Sequence, residues 1–295
     1  MKKILALLPI LFSFIFLVSC EPSRDENGDF LFGVNNPAGT GGGGTTVEKK
    51  LKSVTSTDDS GDVITYNYNY LANKLVQVTT SDNSFTYDLF YENNLITKMN
   101  ILEDDGGITT TTNFTITYNN GKFVEANGTG TEDTGNKYTN KLTATYTNNK
   151  ISKIVSKLVG IDSADPTILY ELFTYTSDLT YAGNNISTWK FTTTFPATPP
   201  IIFPALVLNA TLSEYDAQKN PFNTLPEVYN IISSISGFEA AAVTGFSANN
   251  YRKITVSTQG DTQTATYIYS YDADGYPTKG VASNNLGTLS FEYIK

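Results

Sequence analysis

The feature that most constrains the fold is a recurring six-residue unit. It starts with an aromatic residue, continues through a polar turn rich in Asn, Asp or Gly, and ends in an apolar residue. Around these units, apolar and polar residues alternate, and a period of two is typical of half-buried strands. Because Asn, Asp and Gly tolerate the positive φ of tight turns, each unit predicts a β-hairpin. The seven units begin at Tyr70, Tyr91, Tyr118, Tyr146, Tyr181, Phe246 and Tyr271.

The number of units predicts the fold class. With an eighth, degenerate unit at Tyr215, the chain supplies about sixteen strands, whereas an open sheet rarely exceeds roughly ten without curling. We therefore expect an all-β domain, a curved antiparallel meander of about eight hairpins that forms a barrel or a half-barrel. The 42 Thr, 19 Tyr and 17 Phe residues agree with this class, since these residue types favour pleated, half-buried surfaces.

One helix interrupts the strand pattern. Pro221 lacks a backbone donor and should end strand pairing in the eighth unit. The segment Thr224-Leu-Pro-Glu227 is typical of a helix start, and the apolar residues after it follow a helical stripe. The sequence predicts one short amphipathic helix near 226–236, packed against the concave face of the sheet.

The N-terminal residues resemble a bacterial lipoprotein signal. Two lysines precede an apolar run that ends in Leu17-Val18-Ser19-Cys20. This resemblance implies that residues 1–19 are a signal peptide and that Cys20 is the lipid attachment site; an ordinary secretory signal is the alternative. Residues 20–46 include a Gly-rich run, which predicts a flexible tether, and residues 47–295 are predicted to form a single β-meander domain.

A wider resemblance covers the domain itself. The tyrosine-rich turns, the segment Tyr215-Asp-Ala-Gln-Lys-Asn-Pro-Phe222 and the final Tyr271-Asp-Ala-Asp-Gly-Tyr276 resemble Bacteroidota lipoproteins built of tyrosine-rich hairpins, whose function is unknown. The hairpins are also distantly similar to the YD repeats of Rhs-type proteins, without their strict period. Acidic residues after Cys20 resemble a surface-export signal. The resemblance implies a lipid-anchored protein of the outer membrane, exposed on the cell surface.

Composition excludes several chemistries. The chain has no histidine and one cysteine, so it cannot form a Ser-His-Asp triad, a His-ligated zinc site or an intramolecular disulfide. Its net charge of −9 argues against binding nucleic acid phosphates. The sequence predicts no cofactor and no metal.

Paired carboxylates are the remaining enzymatic hypothesis, because glycoside hydrolases use two of them. The pairs Asp58-Asp59, Asp104-Asp105, and Asp272 with Asp274 all lie in predicted turns beside Gly or Ser, where turn chemistry accounts for them. Asp272 and Asp274 also resemble the opening of a calcium loop, but Ser283 stands where that loop needs glutamate. We interpret all three pairs as turn residues and predict no enzyme, with a carboxylate-dependent glycan hydrolase as the alternative.

Two apolar features are candidate contacts for a ligand or partner. Trp189 is either a platform for a sugar or a core residue. Ile201, Ile202 and Phe203 lie in the proline-rich segment 195–208, which is either an exposed lip or a plug buried against the sheet. The leading hypothesis is therefore a non-enzymatic surface lipoprotein that binds a glycan or a protein partner, or helps to assemble a surface complex. The alternative is a periplasm-facing carrier that holds a lipid or acyl chain in a half-barrel cavity.

Overall fold

The computed structural model describes residues 48–197, 203–236, 240–283 and 286–295. The predicted signal peptide, the tether and the candidate residues Cys20, Ile201 and Ile202 lie outside these ranges. The described residues form sixteen strands in one closed antiparallel barrel. The all-β class and the number of strands are thereby confirmed, and the sheet forms a barrel rather than a half-barrel.

The bounds of the elements follow the sequence units. The strands are β1 (Lys50–Thr57), β2 (Val63–Leu71), β3 (Lys74–Thr80), β4 (Phe85–Glu92), β5 (Leu95–Asp105), β6 (Ile108–Asn119), β7 (Lys122–Glu132), β8 (Lys137–Thr147), β9 (Lys150–Ile161), β10 (Leu169–Ala182), β11 (Asn185–Thr194), β12 (Leu206–Ser213), β13 (Lys253–Thr258), β14 (Asp261–Tyr271), β15 (Pro277–Ala282) and β16 (Thr288–Ile294). A 3-10 turn (Pro221–Thr224) and the helices α1 (Glu227–Ser236) and α2 (Ala240–Thr244) lie between β12 and β13.

Each strand pairs with its neighbours in sequence, and β1 closes the barrel against β16, with Val54 opposite Phe291. Alternate connections therefore lie at opposite ends. We call the end with the short turns β2–β3, β4–β5, β6–β7, β8–β9, β10–β11 and β14–β15 the turn end, and the opposite end the loop end. The described chain enters the barrel at the turn end, and the segment 214–252 also leaves and rejoins the sheet there.

Six of the seven predicted hairpin units are confirmed. In β4–β5 and β8–β9, for example, both central turn residues are asparagines with positive φ: 49° and 68° at Asn93 and Asn94, and 50° and 65° at Asn148 and Asn149. Turns of this kind match the right-handed twist of the strands they join. The prediction at Phe246 was wrong, because the residues before it form α2 rather than a strand.

Polar and apolar side chains take opposite faces of the barrel wall. On β6, Phe114 and Ile116 are buried, whereas Asn113, Thr115 and Thr117 are exposed. The same alternation continues on the neighbouring strands, so the inward face is mainly apolar and the outward face carries mainly Thr, Asn, Ser and Lys. The described strands also expose some apolar side chains, among them Val63, Leu71, Phe90, Leu102, Val124, Ile268 and Val281, and Ile268 lies directly opposite Val281.

Helix α1 lies inside the barrel. From Val228 to Ile235 every side chain of the helix is buried, which is typical of a helix surrounded by protein on all sides. Tyr229 packs edge-on against inward rings of two strands, at centroid distances of 6.4 Å from Tyr68 and 5.5 Å from Tyr87. The predicted helix near 226–236 is confirmed, and the sequence missed α2 and the 3-10 turn.

This packing makes a direct prediction. Ile154 on β9 is 0% exposed and belongs to the core, so Ile154→Ala should lower the free energy of unfolding by about 2–5 kcal/mol through lost burial and an internal cavity. Thr145→Ala is the matched control, because Thr145 is exposed on the outward face of β8 and should change stability by less than about 0.5 kcal/mol. Chemical denaturation measures both, and equal losses would contradict the assignment of the two faces.

Candidate functional site

Tyrosines at the turn end form a repeating set of hydrogen bonds. The hydroxyl of each donates to a backbone carbonyl of a preceding strand: Tyr91 to Leu75 at 2.8 Å, Tyr118 to Ile96 at 2.7 Å, Tyr181 to Ile151 at 2.9 Å, Tyr215 to Ile186 at 2.7 Å and Tyr293 to Pro277 at 2.7 Å. We call these five residues the tyrosine ladder. In the first four bonds, the acceptor is the apolar residue that ends the preceding sequence unit, so the repeat ties successive hairpins together.

Two further features recur with the ladder. The strand register shifts at the aromatic residue of each confirmed hairpin, as between Phe90 and Tyr91 and between Thr117 and Tyr118, and such bulges bend a strand and redirect its side chains. A lysine of the preceding unit lies over the next tyrosine ring, as Lys74 does over Tyr91 at 5.1 Å. Cation–π contacts of this kind add a modest attraction. In the sequence, these contacts are indicated by a lysine four positions after several of the aromatic residues, as at Lys74, Lys122 and Lys150.

The repeat is broken where α1 enters the barrel. Tyr146 donates instead to Oε1 of Glu227, the first residue of α1, at 2.6 Å. Tyr271 also lies outside the ladder and donates to Oδ2 of Asp216. Within the described part of the chain, the buried Tyr70 hydroxyl has no hydrogen-bond partner. Burial raises the pKa of Tyr91 and of Tyr118 to about 12, so these hydroxyls stay protonated donors at physiological pH.

Tyr118 and Tyr70 provide a matched pair of substitutions. Tyr118→Phe removes a hydrogen bond and leaves the Ile96 carbonyl without that donor, so the free energy of unfolding should fall by about 1–3 kcal/mol. Tyr70→Phe removes a buried hydroxyl that has no partner and should leave stability unchanged or raise it slightly. Thermal and chemical unfolding of the two variants test this, and equal destabilisation would show that the ladder bonds contribute nothing specific.

Two cavities open at the turn end, where the helical segment meets the hairpin turns. The first, which we call the helix pocket, has a volume of about 140 Å³. The second, which we call the seam pocket, has a volume of about 320 Å³. The polar residues of the helix pocket are Asn149, Lys150, Tyr181, Asn223, Glu227 and Asn230. Those of the seam pocket are Glu48, Lys219, Asn220, Asn223, Thr224 and Tyr276.

Hydrogen bonds hold the shared wall of the two pockets in place. Asn220 caps the 3-10 turn: its side-chain oxygen accepts from the Phe222 amide at 3.1 Å, and its amide nitrogen donates to the carbonyls of Thr244 and Ser247 at 2.7 and 2.9 Å. Asn223, which lines both pockets, donates to the Gly245 carbonyl at 2.8 Å. The polar wall is therefore built by buried contacts within the segment 214–252, far from the hairpins in sequence.

The predicted carboxylate pairs take structural roles. Asp58 accepts from the backbone amides of Ser60 and Asp62 at 3.0 and 2.9 Å, and Asp104 accepts from the Gly107 amide at 3.1 Å. At the turn end, Lys49 lies 2.7 Å from Asp272 and 2.6 Å from Asp274, so an ammonium group bridges both carboxylates. Within the described ranges, no group of three or more Asp, Glu, His or Cys residues is arranged to hold a metal ion.

Two of the candidate contacts from the sequence, Trp189 and Phe203, lie in the described ranges, and neither lines the two pockets. Trp189 faces inward, where its indole nitrogen donates to the Ser177 hydroxyl at 2.7 Å and its ring packs against Phe191; this placement favours the core alternative. Phe203 is 54% exposed, and its ring lies 5.9 Å from that of Phe195 at the loop end. The described flanks of the proline-rich segment therefore do not form a buried plug at Phe203.

A half-buried carboxyl distinguishes the loop end. Glu103 lies on the inward face of β5, between Phe85 of β4 and Thr110 of β6. Burial raises the pKa of Glu103 to about 7, with a smaller contribution from Asp105. The ordinary pKa of a glutamate is near 4.5. Above pH 7 the folded protein therefore holds a poorly hydrated carboxylate, and well below pH 4.5 the group is protonated in both the folded and the unfolded protein.

Stability should therefore depend on Glu103 only at high pH. Glu103→Gln should raise the free energy of unfolding by on the order of 1–3 kcal/mol at pH 8, where the charged form is disfavoured by burial. At pH 4 the substitution should change stability little. Urea unfolding of both proteins at the two pH values tests this; an equal gain at both would show that titration of Glu103 is not the cause.

Comparison with known proteins identifies the fold. A solved porin-like protein from Bacteroides vulgatus superimposes with a TM-score of 0.54 and 10% identity, over 84% of this chain and 99% of that one. A porin-like protein from Bacteroides uniformis gives a TM-score of 0.49 and 15% identity, over 83% and 96%. The first of these likenesses shows a shared fold, the barrel of porin-like proteins. No protein-family model and no curated protein matches the sequence.

A membrane-spanning helix is not found among the described residues, since none of their helices is long and apolar enough to cross a bilayer.

Proposed function

We propose that this chain is a lipid-anchored barrel of the bacterial cell surface, which binds a glycan or a protein partner without catalysis. The observation that carries the proposal is the polarity of the wall: the described strands place apolar residues inward and Thr, Asn, Ser and Lys outward. A transmembrane barrel has the opposite arrangement, with an apolar outer band about 25 Å tall that faces lipid. A barrel with a polar outward face is more stable in water than in lipid, so membrane attachment depends on the lipid anchor at Cys20.

The interior supports a binding protein rather than a carrier. The sheet is closed, and α1 packs among inward side chains such as Tyr68 and Tyr87. The two cavities at the turn end are lined by charged and amide groups, whereas an acyl chain needs an apolar cavity. No observation therefore favours the alternative of an acyl-chain carrier.

Anchoring through Cys20 is tested by fractionation. The wild-type protein should sediment with membranes and require detergent for release, because several acyl chains give stable attachment. Cys20→Ala should move the protein to the soluble fraction, since the outward face of the barrel is polar. Immunoblots of soluble, carbonate-washed and detergent-extracted fractions provide the measurement.

Ser19→Ala is the matched control, because a small residue is retained before the cysteine and attachment should persist. In intact cells, added protease should cleave the wild-type domain while a periplasmic protein survives. If Cys20→Ala stays in carbonate-washed membranes although mass spectrometry shows that residues 1–19 have been removed, the barrel wall itself is embedded in lipid and the proposal is wrong. Protection of the domain in intact cells would contradict the surface location.

A further inference from the structure

The helix pocket and the seam pocket adjoin each other and share one polar side chain. Asn223 lines both cavities, and its amide nitrogen is held by the Gly245 carbonyl at 2.8 Å, so its oxygen is the group that remains to accept from a ligand. Two small cavities with a common wall favour a ligand made of linked units, each unit filling one cavity.

The charge of each pocket is balanced. Lys150 and Glu227 line the helix pocket, and Lys219 and Glu48 line the seam pocket. A pocket with one ammonium and one carboxylate has no net charge to attract an anionic or a cationic ligand. Such a pair still supplies strong hydrogen-bond donors and acceptors, which suits a neutral ligand rich in hydroxyl groups.

Asn230, which lines the helix pocket, has a buried acceptor that the described part of the protein leaves without a donor. Asn230 is 2% exposed, its amide nitrogen donates to the Phe222 carbonyl at 3.1 Å, and its side-chain oxygen has no hydrogen-bond partner. An unpaired buried acceptor costs free energy. This oxygen is itself buried, so it belongs to the wall of the pocket rather than to the surface that a ligand touches.

The aromatic rings in the pockets are covered rather than free. Lys150 lies 5.3 Å from the centroid of the Tyr181 ring, and Lys219 lies 4.5 Å from that of Tyr276. Because a lysine occupies one face of each ring, recognition at these pockets depends on hydrogen bonds to amide, carboxylate and ammonium groups more than on stacking.

Size and topology narrow the ligand further. The helix pocket, at about 140 Å³, is below the ~300 Å³ of the smallest drug-sized sites and has room for about one sugar ring. A peptide could be bound in extended form by pairing with an exposed strand edge. The pairing of β1 with β16 removes such an edge from this sheet.

We propose that the helix pocket and the seam pocket are adjoining subsites for a neutral oligosaccharide, with successive sugar units on either side of Asn223. This inference deepens the proposed function and rests on its glycan branch. Asn149 and Glu227 bind the unit in the helix pocket, and Lys219 and Glu48 bind the next unit in the seam pocket.

The test is isothermal titration of the full lipid-anchored protein in a sugar-free detergent. The probes are neutral tetrasaccharides of glucose, mannose, galactose or xylose, with tetragalacturonate as the charged comparison. At least one neutral probe should bind, and tetragalacturonate should bind at least tenfold more weakly. No binding of any neutral probe at millimolar concentration, or tighter binding of tetragalacturonate, would overturn the proposal.

Matched variants locate the site. Asn149→Gly keeps a residue that tolerates the positive φ of 65° and deletes the amide, and Glu227→Gln keeps an acceptor for Tyr146 but removes the charge. Each should weaken binding about tenfold. Asn94→Gly, at a φ of 68° in the turn of β4–β5, and Glu92→Gln, exposed beside that turn, should change affinity less than twofold.

Thermal unfolding of all four variants checks that they fold. If the control variants lose as much affinity as the pocket variants, the sugar binds elsewhere and the assignment of the subsites is wrong. The result is separable from the anchoring experiment. If the wild-type protein binds no sugar but its membrane attachment depends on Cys20, only the assignment of the subsites is wrong. If the protein binds sugar but the Cys20→Ala variant stays in membranes, only the assignment of the anchor is wrong.

Discussion

The width of the barrel is the constraint on which the rest of the structure depends. About eight strands enclose a space that side chains alone can fill, whereas sixteen leave a lumen wide enough for a water-filled channel. Here the inward face is apolar, and exposure of that face to water would be unfavourable. A further segment must therefore supply the missing core. The chain meets this need with residues 214–252, whose helix α1 is buried on all sides.

The position of that segment determines what the turn end can do. The segment leaves β12 and returns to β13 at the turn end, so its polar residues meet the rim of hairpin turns there. The tyrosine ladder stiffens this rim, since five tyrosines bond neighbouring hairpins or segments together through a hydroxyl and a carbonyl. Tyr146 does not take part in the ladder. Its hydroxyl donates to Glu227, and this bond joins the rim of hairpin turns to α1. The helix pocket lies beside this junction.

Local chemistry explains what could be predicted from the sequence. The Asn-rich turns and the strands with a period of two could be predicted from the sequence because each depends on a few adjacent residues. Closure of the barrel was not readable, because it joins Val54 to Phe291 across nearly the whole chain. Phe246 was misread since the same residue types follow a helix there. The burial of α1 on all sides could not be predicted because the helix contains polar residues. Ser233 and Ser234 donate to the helix carbonyls of Tyr229 and Ile231, and these bonds satisfy their hydroxyls inside the core.

The candidate site was out of reach of sequence reasoning for the same physical reason. Asn149 belongs to a hairpin turn, while Asn223 and Asn230 belong to the helical segment more than 70 residues later. Each has an ordinary structural explanation in its local sequence, as a turn residue or as a residue near a helix start. Only the packing of α1 within the barrel brings them to one cavity. Trp189 is the single tryptophan of the chain, and its partly buried side chain packs against the core.

A fold shared with porin-like proteins does not by itself imply a pore. Backbone pairing sets the shape of a barrel, while the side chains on its two faces decide which surface meets water and which meets an apolar phase. In this chain the two faces are reversed relative to a transmembrane barrel, and the space that would form a channel holds α1. Under the proposed function, the same backbone arrangement is a water-exposed scaffold, and its binding groups lie where the internal helix meets the hairpin turns.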